Sequence, residues 1–182
     1  MTVIVTGHRG AAGLEPENTI RSFQRALALG VDQVELDVHL THDRELVVIH
    51  DETLDRTTNG RGPVHAVTLA EIQTLDAGKG ERVPTLQEVI DVVKGRAVLQ
   101  IELKGLGVEE AVVQAVEANQ MVDAVVVTSF RHYMVRRMKA LNPRVSTGVL
   151  FRCLPLDGSE PTGPCFLTGQ EATARVVFAK AY

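Results

Sequence analysis

The sequence predicts an α/β domain with a parallel sheet, and two regularities along the chain carry this prediction. Short apolar runs alternate with segments whose apolar residues recur at helical spacing. Glycines and capping residues lie between most of these segments, as they do at helix ends. Strands that alternate with helices form βαβ units, in which successive strands lie parallel. The 182 residues suffice for a substantial core, so we expect a single domain over residues 1–182.

The first part of the chain contains three predicted strands and one predicted helix. Residues 3–6 are a short apolar run, which we interpret as a buried strand. The helix covers residues 20–27, with acidic residues before its start and Gly30 after its end. Residues 33–40 alternate polar and apolar side chains with the period that is typical of a strand. The apolar run 46–50 predicts the next strand.

The same alternation continues from residue 85 onward. Thr85 can cap a helix that ends before Gly95, since Leu86, Val89 and Ile90 share one helical face. The remaining predicted elements are strands at 97–104, 124–128 and 145–151 and helices at 108–117 and 132–141.

Two regions interrupt the alternation. Residues 51–84 are longer than a usual connection and rich in Thr, Gly and Arg, with a short predicted helix at 69–75. We interpret them as an insertion that caps the site. Residues 152–182 form an atypical tail, in which 154–164 are dense in Pro and Gly and therefore predict a loop. Residues 170–182 predict one more helix.

Composition narrows the classes of function. The net charge of −4 predicts no general attraction to nucleic acid or to anionic membranes. No apolar stretch approaches the roughly 18 residues that span a membrane, and the first residues lack the basic region of a secretion signal. The two cysteines, Cys153 and Cys165, are too few for a disulfide framework. We therefore expect a cytoplasmic protein with a small-molecule partner.

Polar and charged residues occur where the predicted strands end. The carboxyl ends of parallel strands meet at one edge of a sheet, where α/β proteins gather their functional groups. Residues two apart in a strand point to the same face, so Glu35 and Asp37 point together, as do Glu102 and Lys104. The other strand-end residues are His8, Arg9, His50 and Asp51.

The residue types at these strand ends suit a divalent cation beside a phosphate. Glu35, Asp37 and Glu102 supply oxygen ligands, which Mg²⁺ and Ca²⁺ prefer. Arg9 and Lys104 next to such a cation suit a phosphate, and the guanidinium can bind it with two hydrogen bonds. The choice between Mg²⁺ and Ca²⁺ stays open, because carboxylate oxygens bind both cations.

Several polar residues allow more than one interpretation. His8 and His50, on either side of a phosphorus atom, could share general base and general acid catalysis near neutral pH. His39 is expected to be structural, although its register in the strand can place it at the same edge. Asp51 either orients His50 or caps the following turn. Asn18 either touches the site or helps to start the helix.

Eight segments, in order over about the first 150 residues, resemble the glycerophosphodiester phosphodiesterases. They are His8-Arg9-Gly10, Glu17-Asn18-Thr19, Glu35-Leu36-Asp37 with Asp43 downstream, His50-Asp51, Leu54-Asp55-Arg56-Thr57-Thr58, Val83-Pro84-Thr85-Leu86, Glu102-Leu103-Lys104 and Ser129-Phe130.

The resemblance implies a TIM-type (β/α) barrel with a small insertion after the second strand. It also implies metal-dependent hydrolysis of glycerophosphodiesters to glycerol 3-phosphate and an alcohol. In this scheme a substrate hydroxyl attacks phosphorus to give a cyclic phosphate, which water then opens. The roles that it implies are metal ligands at Glu35, Asp37 and Glu102, acid–base catalysts at His8 and His50, and phosphate ligands at Arg9 and Lys104.

The number of predicted strands departs from a complete barrel. Such a barrel has about eight strands, whereas we count about five strands of the βα type before residue 151. We therefore expect a barrel shortened at its C-terminus, with an open sheet edge. The tail covers this edge, or two chains associate as a homo-oligomer to complete the closure. Two other functions stay open: a catalytically impaired protein that binds phosphate or metal, and a related phospholipase acting on lysolipids.

Overall fold

In the computed structural model, which describes residues 3–150, six strands form one sheet. The strands are β1 (Thr6–Gly7), β2 (Gln33–Leu40), β3 (Leu46–Val48), β4 (Val98–Leu103), β5 (Val125–Ser129) and β6 (Ser146–Val149). The helices are α1 (Ile20–Ala28), α2 (Leu69–Ile72), α3 (Leu86–Val93), α4 (Glu109–Ala118) and α5 (His132–Leu141), with short 3₁₀ helices at Val64–Ala66 and Val122–Ala124. The predicted tail over 152–182 lies outside the described residues.

The order of the strands is β1-β2-β4-β5-β6, and each of these neighbours is parallel to the next. Helices connect successive parallel strands, as βαβ units require. The α/β class and the parallel sheet predicted from the sequence are therefore confirmed. Within residues 3–150, β1 and β6 are the two edges of this parallel set.

Side-chain caps determine where α1 and α3 begin. Thr19 caps α1, because its side-chain oxygen accepts a hydrogen bond from the backbone N–H of Ser22. Thr85 and Glu88 form a reciprocal capping box at the start of α3, as the sequence predicted for Thr85. Such a cap typically stabilises a helix by about 1 kcal/mol.

The two faces of β2 have different chemistry. Val34, Leu36 and Val38 are fully buried in the main core, together with apolar residues of α1, α3 and α4. The alternating residues of the same strand are Glu35, Asp37 and His39, which are also buried. Because side chains alternate across a strand, these polar groups lie on the face away from the helices. The fold therefore buries the ionisable side chains of this face and does not expose them to solvent.

The first strand is shorter than the sequence predicted. Val3, Ile4 and Val5 are 80%, 66% and 52% exposed, and β1 consists of Thr6–Gly7 alone. The prediction of a buried strand over 3–6 was wrong. In the described part of the chain, β1 pairs on one side only, with β2, so nothing covers the apolar run.

The run at 46–50 is a strand of different orientation from its neighbours. β3 pairs antiparallel with β2, with Val48 opposite Val38 and Leu46 opposite Leu40. It is therefore not one of the βα strands that we expected it to join. A tight connection causes the reversal: the backbone N–H of Thr41 donates to the carbonyl of Glu45. The hairpin thus leads the chain from the carboxyl end of β2 back to the level of Asp37.

The segment 51–84 has a small apolar core of its own. Leu54, Val64 and Ile72 are buried there, packed with Val47 and Ile49 of the hairpin. The short helix predicted at 69–75 is α2, which begins with a capping box of Thr68 and Glu71. None of the helices within residues 3–150 has the length and apolar character that crossing a membrane requires.

Candidate active site

Three carboxylates lie together on one face of the neighbouring strands β2 and β4. Glu35 and Asp37 come from β2, and Glu102 comes from β4, where it pairs in register with Asp37. All three residues are buried, and one carboxylate oxygen of each lies within 4.8 Å of the others. Parallel pairing and the two-residue repeat produce this cluster directly, because the three side chains share one face of adjacent strands.

The carboxylate cluster is electrostatically strained. Burial and the charge of Asp37 raise the pKa of Glu35 to about 8. Burial also raises the pKa of Glu102, although Lys104 opposes this effect. Asp37 Oδ1 is buried and accepts no hydrogen bond from the described residues. Three buried acidic groups with an unsatisfied oxygen fit a hard divalent cation, which would relieve both the repulsion and the desolvation.

Two cations flank the carboxylates. Lys104 Nζ lies 2.7 Å from Glu102 Oε1 and 3.6 Å from Asp37 Oδ1. Arg9 Nε lies 3.5 Å from Asp37 Oδ2, and the Arg9 backbone N–H donates to Glu35 Oε2 at 2.9 Å. Arg9 therefore contacts the cluster through both its side chain and its main chain.

His8 precedes Arg9 at the end of β1. Its side chain is half-exposed, and its Nε2 atom lies 3.9 Å from Glu35 Oε2. Partial burial, reinforced by the charge of Arg9, lowers the pKa of His8 below its ordinary value of 6.5. Gly10 allows the turn, since its φ is +79° and a Cβ there would lie 2.7 Å from the backbone carbon of Ser22. The glycine thus brings the loop against α1.

The antiparallel β3 carries His50 back to the same edge. The N–H of Ile49 donates to the carbonyl of Asp37 at 3.0 Å, so His50 follows directly beside the acidic cluster. His50 Nδ1 lies 2.6 Å from Asp51 Oδ1, and His39 Nε2 contacts the His50 carbonyl at 3.2 Å. Asp51 therefore orients His50, which was one of its two predicted roles. This bond leaves Nε2 of His50 available to a substrate.

Asn18 touches the site and does not cap the helix, because Thr19 is the N-cap of α1. The side chain of Asn18 is buried, and its Nδ2 donates to Asp37 Oδ2 at 3.0 Å. Of the two interpretations that the sequence left open for Asn18, the structure therefore supports contact with the site.

The structure also places two residues near the site that strand-end reasoning did not find. Glu17 Oε1 accepts from Arg9 Nη1 at 2.9 Å, and Arg56 contacts both Glu17 and Asp51. Both residues lie in loops, and their only sequence signal was membership of the Glu17-Asn18-Thr19 and Leu54-to-Thr58 motifs.

An open groove lies beside His8 and Arg9. It has a volume of about 620 Å³ and runs along β1 and the loop that follows, with Ala26 of α1 and the C-cap residue Leu29 on its other side. On the opposite flank, Lys104 Nζ lies 5.5 Å from the centre of the Phe130 ring. Open space thus lies beside His8 and Arg9, which contact the cluster.

Comparison with known proteins agrees with this geometry. Similar solved structures and the matching sequence family place the fold in the class of TIM-type α/β barrels. The chain belongs to the glycerophosphoryl diester phosphodiesterase family, whose sequence model matches residues 8–174. The family and the barrel class predicted from the sequence motifs are thus confirmed.

Individual relatives cover most of the chain. The glycerophosphodiester phosphodiesterase of Caldanaerobacter subterraneus subsp. tengcongensis is 45% identical over 166 residues, which are 84% of this chain and 68% of that protein. The enzyme of the same name from Bacillus altitudinis is 39% identical over 160 residues, covering 80% of this chain and 65% of that protein. The chain thus spans about two thirds of the length of these relatives.

Two solved structures show the same fold. The glycerophosphodiester phosphodiesterase of Agrobacterium tumefaciens has a TM-score of 0.76 and 42% identity, covering 81% of this chain and 66% of that one. A phosphodiesterase of Oleispira antarctica in complex with the product sn-glycerol-3-phosphate has a TM-score of 0.79 and 35% identity, covering 85% and 68%.

Proposed function

We propose that the protein hydrolyses glycerophosphodiesters to glycerol 3-phosphate and an alcohol, with a divalent cation. The observation that carries this proposal is the buried cluster of Glu35, Asp37 and Glu102 with Lys104 and Arg9 at its side. An anionic substrate needs cations, and a hard metal needs oxygen ligands. Both lie at one edge of the sheet. The names of the relatives and the product held by the Oleispira antarctica structure support the same chemistry.

The three carboxylates would hold Mg²⁺ or Ca²⁺. Their burial, the raised pKa of Glu35 and the unsatisfied Asp37 Oδ1 fit such a cation. When bound, the cation supplies polarisation of a phosphoryl oxygen. Arg9 and Lys104 would bind the other phosphate oxygens, since both side chains already point at the acidic cluster. These groups would stabilise the charge that develops on phosphorus.

The two histidines would transfer the protons. His8, whose pKa is lowered, is neutral near neutral pH and would accept the proton of the attacking substrate hydroxyl. His50 would protonate the leaving alkoxide as the cyclic phosphate forms. In the second step, His50 would take a proton from water, which attacks phosphorus. His8 would then return its proton to the hydroxyl that leaves when the ring opens.

We propose that residues 1–182 form one domain, with residues 51–84 capping the site. Arg56 of this insertion contacts Glu17 beside the site, which supports the capping role. We propose a cytoplasmic location, which the lack of a disulfide framework supports. Among residues 3–150, β1 has a strand neighbour on one side only, and the exposed run at Val3 to Val5 beside it supports association of two chains at this edge. Light scattering tests this association, and a strictly monomeric species would contradict it.

The decisive experiment measures release of glycerol 3-phosphate from glycerophosphocholine and from glycerophosphoethanolamine. Release should require added Mg²⁺ or Ca²⁺ and should stop with EDTA. Lysophosphatidylcholine serves as the competing substrate, because a phospholipase would cleave it in preference. Glu102→Gln should lose activity, whereas Glu45→Gln, an exposed matched control, should retain it. No release from these substrates and no cleavage of lysophosphatidylcholine, with either metal present, would identify a catalytically impaired protein.

A further inference from the structure

Arg56 lies in the insertion and joins two carboxylates from different parts of the chain. Its Nε and Nη2 atoms donate to Asp51 Oδ2 and Oδ1 at 2.7 and 2.9 Å. Its Nη1 and Nη2 atoms donate to Glu17 Oε2 and Oε1 at 3.0 and 2.7 Å. Arg56 thus binds both carboxylates with two hydrogen bonds each, which the planar fork of a guanidinium allows.

Each of these carboxylates also holds a residue of the proposed site. Asp51 Oδ1 lies 2.6 Å from His50 Nδ1, and Glu17 Oε1 accepts from Arg9 Nη1 at 2.9 Å. The result is one hydrogen-bonded network that runs from His50 through Asp51, Arg56 and Glu17 to Arg9. A single side chain of the insertion is therefore linked through Asp51 to His50 and through Glu17 to Arg9.

The ion pairs of Arg56 contribute more to the orientation of neighbouring side chains than to the stability of the fold. The Arg56 side chain is 47% exposed, and exposed ion pairs typically stabilise a fold by less than about 1 kcal/mol. Arg56 nevertheless holds the pKa of Asp51 well below its ordinary value, so Asp51 stays ionised at neutral pH and can accept a hydrogen bond from His50 Nδ1. Burial opposes ionisation of Glu17, but Arg56 and Arg9 outweigh it and lower its pKa.

We propose that Arg56 is a positioning residue that fixes His50 through Asp51 and Arg9 through Glu17 at the same time. This inference rests on the proposed function, since it assigns Arg56 to the same site. Without the guanidinium, Asp51 and Glu17 each lose two hydrogen bonds, and His50 and Arg9 lose their fixed directions. A displacement of a reacting group by about 1 Å can cost about 10²-fold in rate.

The test compares Arg56→Ala, Arg56→Lys and Arg82→Ala in the full chain with saturating Mg²⁺. Arg82 is the control, because it lies in the same insertion and pairs with Glu88 at the surface. Arg56→Ala should lower kcat for glycerophosphocholine about 10- to 100-fold and raise KM, with the thermal midpoint unchanged. Arg56→Lys should recover little, since an ammonium group cannot bind two carboxylates with four hydrogen bonds. Added guanidinium should partly restore Arg56→Ala, whereas methylammonium should not.

Nuclear magnetic resonance of the His50 ring separates this inference from the proposed function. The Nδ1 proton of His50 should be detected in the wild type and lost in Arg56→Ala, whether or not the protein turns over substrate. If the wild type releases no glycerol 3-phosphate, the proposed function fails while the spectrum still tests Arg56. An unchanged His50 signal, or equal losses of activity in Arg56→Ala and Arg82→Ala, would overturn the inference. If Arg56→Ala does not fold, Glu17→Gln tests the same network by removing the charge of the carboxylate that binds both Arg56 and Arg9.

Discussion

Asn18 donates a hydrogen bond of 3.0 Å from its Nδ2 atom to Asp37 Oδ2, at the centre of the acidic cluster. Asn18 has a φ of 57°, in the left-handed region that Asn tolerates better than most residues. Its backbone N–H donates to the Arg9 carbonyl at 3.1 Å. The loop before α1 therefore holds Asp37 in one orientation and binds the Arg9 main chain at the same time.

We predict that Asn18→Ala weakens the binding of Mg²⁺ or Ca²⁺ about 10-fold, because a residue that orients a metal ligand typically contributes at this level. Asn18→Asp also removes the donor, since a carboxylate cannot donate a hydrogen bond to Asp37 Oδ2. Isothermal titration calorimetry measures the effect. Asn119→Ala is the control, because Asn119 contacts Gln87 away from the site. Wild-type affinity in both Asn18 variants would contradict the prediction.

We predict that the metal-free protein loses stability as pH rises from about 4.5 to about 8. The pKa of Glu35 is about 8 in the fold and 4.5 ordinarily, so the folded state holds a proton that the unfolded state releases between these values. Urea unfolding at several pH values in EDTA measures the slope. Glu35→Gln should reduce this slope, whereas Glu45→Gln should leave it unchanged.

The lowered pKa of His8 acts with the opposite sign below pH 6.5, because there the unfolded state binds the extra proton. The clearest comparison of wild type with Glu35→Gln is therefore between pH 7 and pH 8. Added Mg²⁺ should stabilise the wild type more at pH 8 than at pH 6, since the cation competes with the Glu35 proton. A protein whose stability does not change with pH in this range would contradict the raised pKa of Glu35.

We predict that His8→Ala and His50→Ala each abolish turnover but leave metal affinity nearly intact. Neither imidazole belongs to the carboxylate cluster, so the metal ligands should be unaffected. Because His8 acts as a base only when neutral, kcat/KM should fall on the acid side with a midpoint below 6.5. His65→Ala is the control, since His65 is exposed in the insertion. Normal activity in either site variant would remove that histidine from the mechanism.

Some elements were predictable because their signals are local. The bounds of β2 follow from alternation alone, and α3 begins where Thr85 and Glu88 can cap it. The orientation of β3 was not predictable, because a short apolar run looks the same in a parallel or an antiparallel pair. The exposure of residues 3–5 was missed for a similar reason, since burial of an edge strand depends on what lies beyond it.

The acidic part of the site was predictable from strand register. The hydrogen-bonded network that links His50 to Arg9 was not. Glu35 and Asp37 lie two apart on one strand, so a shared face follows from geometry. Arg56 and Glu17 are 39 residues apart in two loops, and no periodicity connects them. Asn18 was ambiguous for a different reason, since Asn is equally suited to a helix start and to a site contact.

We predict that Gly10→Ala destabilises the protein by about 3 kcal/mol, since strain and overpacking add there. Gly10 has a φ of +79°, and an added Cβ would lie 2.5 Å from Ser22 Oγ and 2.7 Å from the Ser22 backbone carbon. Gly30→Ala should cost about 1 kcal/mol, because Gly30 has a φ of +76° but open space around it. Gly13→Ala is the matched control, with no atom within 4 Å of its added Cβ, and should be nearly neutral. Urea unfolding measures all three variants. If Gly10→Ala and Gly30→Ala cost the same, the close contact with α1 does not constrain the loop that carries His8 and Arg9.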